Sequence, residues 1–205
     1  MPQLADLLIA THNVGKLREL ASLLKDAPVR LRTLAEFSRV GSVEETGQTF
    51  ADNASLKARF YATATQCRTL ADDSGLMVDE LGGAPGVFSA RYAGIAATDG
   101  QRIARLLFEL ERVGATCRRA RFICCVAICD PATGETWIFD GCCEGQISDV
   151  PRGTNGFGYD AVFIPDGYEQ TFGELPAAIK QQISHRARAF GAAYQFIRTR
   201  FPQMP

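Results

Sequence analysis

The chain has no strong charge of either sign. It carries 22 basic and 23 acidic residues among 205, a formal net charge of −1. Binding to a nucleic-acid polymer rests on a large basic excess, so that balance argues against such a partner. Long apolar runs are also missing. The clearest one, Phe122–Cys129, is far too short to span a bilayer. No basic region followed by a long apolar stretch opens the chain, so no secretory signal is expected. Cysteine is present, but Cys-x-x-Cys is not. The seven cysteines include Cys124, Cys125 and Cys129 in one apolar segment and Cys142-Cys143 in the next, with no histidine beside them. A zinc site is therefore not expected, and buried free thiols in a reducing cytoplasm are. Internal repeats, low-complexity segments and Pro/Ser-rich linkers are absent too, so residues 1–205 read as one domain, long enough to bury a substantial core.

What is present concentrates in a few polar segments. In Ala71-Asp72-Asp73-Ser74-Gly75-Leu76, an apolar stretch (Thr69–Ala71) ends in two carboxylates, a hydroxyl and a glycine. This reads as a strand that delivers acids to a sheet edge and then turns. Asp, Ser and Gly are also the residues of a plain surface turn. Adjacent carboxylates repel, and a hard divalent cation, with Mg²⁺ the default near phosphates, would neutralise them.

Near the N-terminus a short apolar strand, Leu7–Ala10, precedes Thr11-His12-Asn13-Val14-Gly15-Lys16 and a helical leucine stripe at positions 17, 20, 23 and 24. A strand-turn-helix junction aims backbone N–H groups and the positive helix end at one spot, which suits an anion, and Lys16 adds a full charge. The alternative is an ordinary N-cap and a solvated lysine, because the Gly-x4-Gly-Lys-Ser/Thr phosphate loop is not there.

A helix is expected from Thr49 to about Gln66. Phe50, Asn53, Ala54, Lys57 and Tyr61 share one side of it. Asn53 and Lys57 thus fall among apolar positions, where an unpartnered lysine is expensive. Glu44 and Glu45, just upstream, could join the acid cluster. Gly153-Thr154-Asn155-Gly156-Phe157-Gly158-Tyr159-Asp160 offers a backbone able to approach a ligand and two aromatic faces. Lys180, His185 and Arg186 lie within one or two helical turns near the end, which also describes a solvated basic helix.

The remaining pattern predicts a strand at Val29–Leu34, a Gly/Pro-rich excursion over Val78–Gly94, a helix around Ile103–Leu110 and a hairpin of Arg121–Cys129 with Thr136–Cys143. A short strand at Thr171–Leu175 and helices at Ala177–Ser184 and Arg186–Arg200 complete it. Strands alternate with helices early and pair antiparallel later, which predicts an α/β fold with a mixed central sheet flanked by helices.

Taken together, Thr11-x-Asn13-x-x-Lys16, Glu45-Thr46-Gly47-x-Thr49-Phe50-x-x-Asn53-Ala54-x-x-Lys57-Ala58, Ala71-Asp72-Asp73-Ser74-Gly75-Leu76-x-Val78, Pro85–Tyr92, Gly156-Phe157-Gly158-Tyr159-Asp160 and Ser184-His185-Arg186 resemble the inosine triphosphate pyrophosphatase family. The six pieces keep the family's order over nearly the whole chain. Phe88 stands where the family often has Tyr, and Ala161 where Pro is common; neither change removes a group the chemistry needs.

The resemblance implies an elongated, two-lobed α/β fold with a deep cleft and a homodimer, for which the Gly82–Tyr92 loop is a candidate interface. It implies hydrolysis of non-canonical purine nucleoside triphosphates (ITP, dITP, XTP) to a monophosphate and pyrophosphate. In that scheme Asp73 is the general base. Asp72, Asp73 and Glu45, with Glu44, hold Mg²⁺, while Lys16 and Lys57 supply positive charge. Thr11, His12, Asn13, Val14, Gly15 and Asn53 cradle the phosphates, and Ser74 adds a hydrogen bond. Phe157 stacks on the base. Gly158, Tyr159, Asp160, Lys180, His185 and Arg186 surround and read it.

Overall fold

The structure, a computed structural model, describes residues 4–201. Its strands are β1 (Ala5–Ile9), β2 (Val29–Thr33), β3 (Thr69–Val78), β4 (Arg119–Cys129), β5 (Thr136–Ile147) and β6 (Phe163–Pro165). Its α-helices are α1 (Val14–Leu23), α2 (Phe50–Thr65), α3 (Asp99–Arg112), α4 (Ala177–Ile183) and α5 (His185–Arg200). The strands form one six-stranded sheet in the order β2-β1-β3-β4-β5-β6. β1 is parallel to β2, with Leu7 opposite Leu31, and parallel to β3, with Ile9 opposite Leu70. β5 and β6 are antiparallel, with Gln146 opposite Ile164. The mixed α/β class expected from the sequence is the one observed.

Residues up to Asp73, Cys124–Gly141 and from Arg186 onward form one compact unit; Ser74–Ile123 and Cys142–His185 form a second. Each has its own core. In the first, Leu7, Ile9 and Leu70 of the sheet pack with Leu20 and Leu24 of α1 and with Ala189, Phe190 and Ile197 of α5. In the second, Leu76, Val78 and Phe122 pack with Ile103, Leu106 and Leu110 of α3 and with Phe163 and Phe172. No described helix is long and apolar enough to cross a membrane.

Local chemistry starts the helices where the sequence places them. The Asn13 side chain accepts from the Lys16 amide and caps α1. Thr49 and Asp52 form a reciprocal capping box on α2, satisfying two otherwise orphaned donors. Ala54, Ala58 and Ala62 are fully buried along α2, and such small side chains let its backbone pack close. Cys124, Cys125, Cys129 and Cys143 are buried free thiols, in keeping with the apolar role expected for them.

Two expectations are corrected. The strand expected to stop at Ala71 continues to Val78, carrying Asp72-Asp73-Ser74-Gly75 in its middle. It is the neighbour that stops: β1 pairs with β3 only at Thr69 and Leu70, and the chain then leaves through Thr11–Asn13 into α1. The acids thus occupy a paired strand just beyond the carboxyl end of β1, where ligands of parallel sheets commonly bind. Thr171–Leu175 is a turn and not a strand, because the amides of Glu174 and Leu175 both bond back to the Thr171 carbonyl. The short strand of that region is β6. The Val78–Gly94 excursion contains two 3-10 turns, Asp79–Leu81 and Gly86–Arg91.

Candidate active site

In the first unit the charged residues assemble around β3. Successive strand residues address opposite faces, and the two aspartates have different partners. Asp72 accepts from Lys16 Nζ at 2.8 Å. Asp73 accepts from Asn53 Nδ2 at 3.1 Å and lies 3.4 Å from Lys57 Nζ. Lys57 also meets Glu45 at 2.7 Å. The expense of Lys57 among apolar positions is therefore met by two carboxylates, and Asn53, fully buried, is held at its other end by the Gly47 amide.

The electrostatic consequences diverge. Burial pushes Asp72 up, but Lys16, Lys57 and Arg186 outweigh it and hold the carboxyl below the ordinary aspartate range. Burial also pushes Asp73 up, Glu45 adds to it, and here Lys57, Lys16 and the Asn53 bond fail to offset it, so its pKa is raised. Burial disfavours the Lys57 ammonium, yet Asp73, Asp72 and Glu45 overcompensate and raise it. Two adjacent carboxylates pushed in opposite directions are what an acid–base site requires.

The Thr11–Lys16 junction is a tight turn. Thr11 Oγ1 accepts from the Asn13 amide at 3.2 Å, and Asn13 Oδ1 is committed to the Lys16 amide. The amides of Val14 and Gly15, in the first turn of α1, are positioned to meet an anion. Val14 is exposed. His12 Nε2 lies 3.1 Å from the Tyr61 hydroxyl. Arg186, at the start of α5, donates to Glu19 of α1 at 2.9 Å and acts electrostatically on Asp72. Glu44 is exposed and Glu45 half-buried.

Mg²⁺ is normally held by one or two carboxylates, substrate phosphates and water. Among the described residues no three His, Cys, Asp or Glu side chains converge to hold an ion on their own. Glu45 and Asp73 nevertheless present oxygens to one point, where Lys57 Nζ sits. Carboxylates of this kind suit a hard cation whose remaining ligands come from phosphate and water, and the Lys57 ammonium holds the point between these two.

In the second unit Lys180 and Asp160, both buried, pair at 2.6 Å. The same Asp160 oxygen accepts from the Phe157 amide at 2.8 Å. Gly156, at φ +76°, has no room for a side chain, since a Cβ there would overlap the Asp160 carboxylate. The half-buried Phe157 ring lies 4.9 Å from Lys180 Nζ. Tyr159 is buried and donates to the Ser89 carbonyl at 2.9 Å. His185 is buried and stacks on Phe122 with ring centroids 4.7 Å apart. Ser74 is half-buried in β3.

The structure thus brings together Lys16 with Asp72, Lys57 with Glu45 and Asp73, and Lys180 with Asp160 and Phe157. Tyr159 and His185 sit in packed surroundings. Sequence reasoning missed three supporting residues: Glu19, which holds Arg186; Asp99, which accepts from the Gly158 amide at 2.7 Å; and the Tyr61 hydroxyl. Asp99 is 59 positions from Gly158, so only its place in the first turn of α3 was visible locally.

Several known proteins are similar to this chain over most of its length. A Bacillus licheniformis protein described as a dITP/XTP pyrophosphatase is 47% identical over 184 residues, covering 90% of this chain and 93% of its own. A Geobacter sulfurreducens protein of the same description is 48% identical, with coverage of 89% and 92%. A solved HAM1 protein from Coxiella burnetii superimposes with a TM-score of 0.87 at 42% identity, covering 93% of this chain and 97% of its own. The Staphylococcus aureus Ham1 protein gives 0.85 at 38% identity, with coverage of 95% and 99%. Residues 7–196, which include every charged partner described around β3, match the pattern that defines the Ham1 family, and the chain belongs to that family.

Proposed function

We propose that this chain hydrolyses non-canonical purine nucleoside triphosphates (ITP, dITP and XTP) to the monophosphate and pyrophosphate, cleansing the nucleotide pool of the cytoplasm. The observation that carries the reading is the split of Asp72 and Asp73 beside two lysines, in a chain whose relatives are described as dITP/XTP pyrophosphatases.

Asp73 is the general base. Its raised pKa brings it nearer neutrality than an ordinary carboxylate and makes it a stronger acceptor for the proton of an attacking water. Asn53 fixes one of its oxygens. Lys57 stands at the other and can turn to phosphate oxygens as negative charge develops. Lys16, ionised against Asp72, holds a second positive charge near the start of α1, where the Val14 and Gly15 amides receive phosphate oxygens. Mg²⁺, held by Asp72 and Glu45 with support from Glu44, would offset charge on the departing pyrophosphate. Phosphoryl chemistry asks the protein mainly for such positioning and electrostatics.

Base selection is assigned to Phe157 as the stacking face and to Asp160, Lys180, His185 and Arg186 as polar readers. Hypoxanthine and xanthine carry a 6-keto acceptor where adenine carries an amino donor. A cationic donor at that edge favours the former and leaves the latter facing an unmade bond, a loss of roughly 1–3 kcal/mol or more. As the resemblance implies, the protein acts as a homodimer. The exposed Phe88 in the Gly82–Tyr92 loop supplies apolar surface for the contact.

Incubation with ITP, dITP, XTP, GTP, ATP and modified pyrimidine triphosphates in Mg²⁺, followed by chromatography, tests this reading. The expected products are the inosine and xanthosine monophosphates with stoichiometric pyrophosphate. Orthophosphate with a diphosphate as first products would contradict the mechanism. A preference for pyrimidines would assign the chain to a related pyrophosphatase activity instead.

A further inference from the structure

Tyr61 takes no part in the chemistry proposed above, yet its hydroxyl sits at a junction. It occupies α2 one turn after Lys57 and is 2% exposed. Its oxygen lies 3.1 Å from His12 Nε2, in the turn between β1 and α1. The Val43 backbone amide also acts on this hydroxyl, favouring its ionised form. Val43 is two residues before Glu45, the carboxylate that meets Lys57. The His12 and Tyr61 rings also meet edge-on, with centroids 6.3 Å apart.

Three chain segments, distant in sequence, therefore share one hydroxyl. A phenol can accept from an amide and still donate to, or accept from, a ring nitrogen, so the two interactions do not compete. Residues 11–13 of the turn and the segment 43–45 have no regular structure of their own. Such segments sample many conformations unless something fixes them. A buried phenol on a helix is well suited to do so, because packing immobilises its ring.

We propose that Tyr61 is a positioning residue: its hydroxyl latches the His12 turn and the Val43–Glu45 segment to α2, pre-setting the phosphate-binding turn and the Glu45 carboxylate against Lys57. The inference rests on the phosphate-handling role given to those two segments. The consequence is that triphosphate meets a turn already in place, so the latch acts on binding more than on the chemical step.

The test compares wild type, Tyr61→Phe, His12→Ala and the double variant. Tyr61→Phe keeps the buried ring and removes only the hydroxyl. Amide hydrogen exchange on the unliganded protein reads the latch without reference to activity. Tyr61→Phe is expected to speed exchange in both residues 11–16 and 43–47, His12→Ala in the first segment alone. In steady-state hydrolysis of ITP, Tyr61→Phe is expected to raise KM by roughly fivefold, the equivalent of one net hydrogen bond, with a smaller change in kcat. The double variant is expected to resemble Tyr61→Phe, not the product of the two effects. Unchanged exchange in either segment overturns the latch, as does an unchanged KM in an active enzyme. Should wild type hydrolyse no triphosphate, the functional reading fails, and the exchange data alone decide the latch.

Discussion

On one face of β3, Asp72 meets Lys16 of α1 and feels Arg186 of α5; on the other, Asp73 meets Asn53 and Lys57 of α2. Both carboxylates are buried and adjacent in sequence. Their surroundings nonetheless move them apart, one towards a permanent anion, the other towards a group that can take a proton. The difference comes from the pleat, which deals consecutive side chains to different helices. It also comes from Glu45, whose negative charge opposes ionisation on the Asp73 side. A strand can thus hold two adjacent carboxylates whose nearest partners differ.

The comparison breaks first at Asp72. Asp72→Asn leaves Lys16 without its buried countercharge, and is expected to destabilise the fold by about 3 kcal/mol, the low end for breaking a buried pair, as Lys16 keeps some solvent contact. Denaturant unfolding checks it. Asp73→Asn is expected to lower kcat about 100-fold, roughly 2.7 kcal/mol of barrier, while leaving the unfolding midpoint the same or higher. A stable Asp72→Asn enzyme beside an active Asp73→Asn enzyme would reverse the assignments.

Arg186→Ala and Lys57→Ala sharpen the contrast of the two faces. Arg186→Ala is expected to narrow the preference for ITP over ATP by about tenfold. Lys57→Ala is expected to slow both triphosphates alike, and kcat/KM for the two substrates separates the cases.

The smallest effect concerns pH. The Asp73 pKa is raised in the fold, so the acid limb of kcat/KM is expected above the ordinary aspartate range, and absent from residual Asp73→Asn activity. Stability follows the opposite signs. Asp72, depressed in the fold, contributes stability above its unfolded pKa that is lost as pH falls through its folded value. Asp73 binds its proton more tightly when folded, so its ionisation costs stability once pH rises past its unfolded pKa. Unfolding of the two Asn variants between pH 3 and pH 7, a window on the order of the carboxylate range, measures both slopes.

Much of this was legible in sequence because it is local. Asn13, Thr49 and the leucines of α1 announce their helices, and the stripe Phe50-Asn53-Ala54-Lys57-Tyr61 announced polar groups on a buried face. The course of β3 through Asp72–Gly75 was not legible. Its residues have turn chemistry, and they stay extended beside β4, past the end of β1, with lysines of two helices meeting the acids. Likewise the partners of Tyr159 and His185, Ser89 and Phe122, are remote in the chain and left no local signal.

The most direct test of the account is hydrolysis of ITP in ¹⁸O-labelled water, with the products analysed by mass spectrometry. Attack by the water that Asp73 activates on the α-phosphorus predicts one ¹⁸O in the inosine monophosphate and none in the pyrophosphate. Label in the pyrophosphate, or in released orthophosphate, would contradict it.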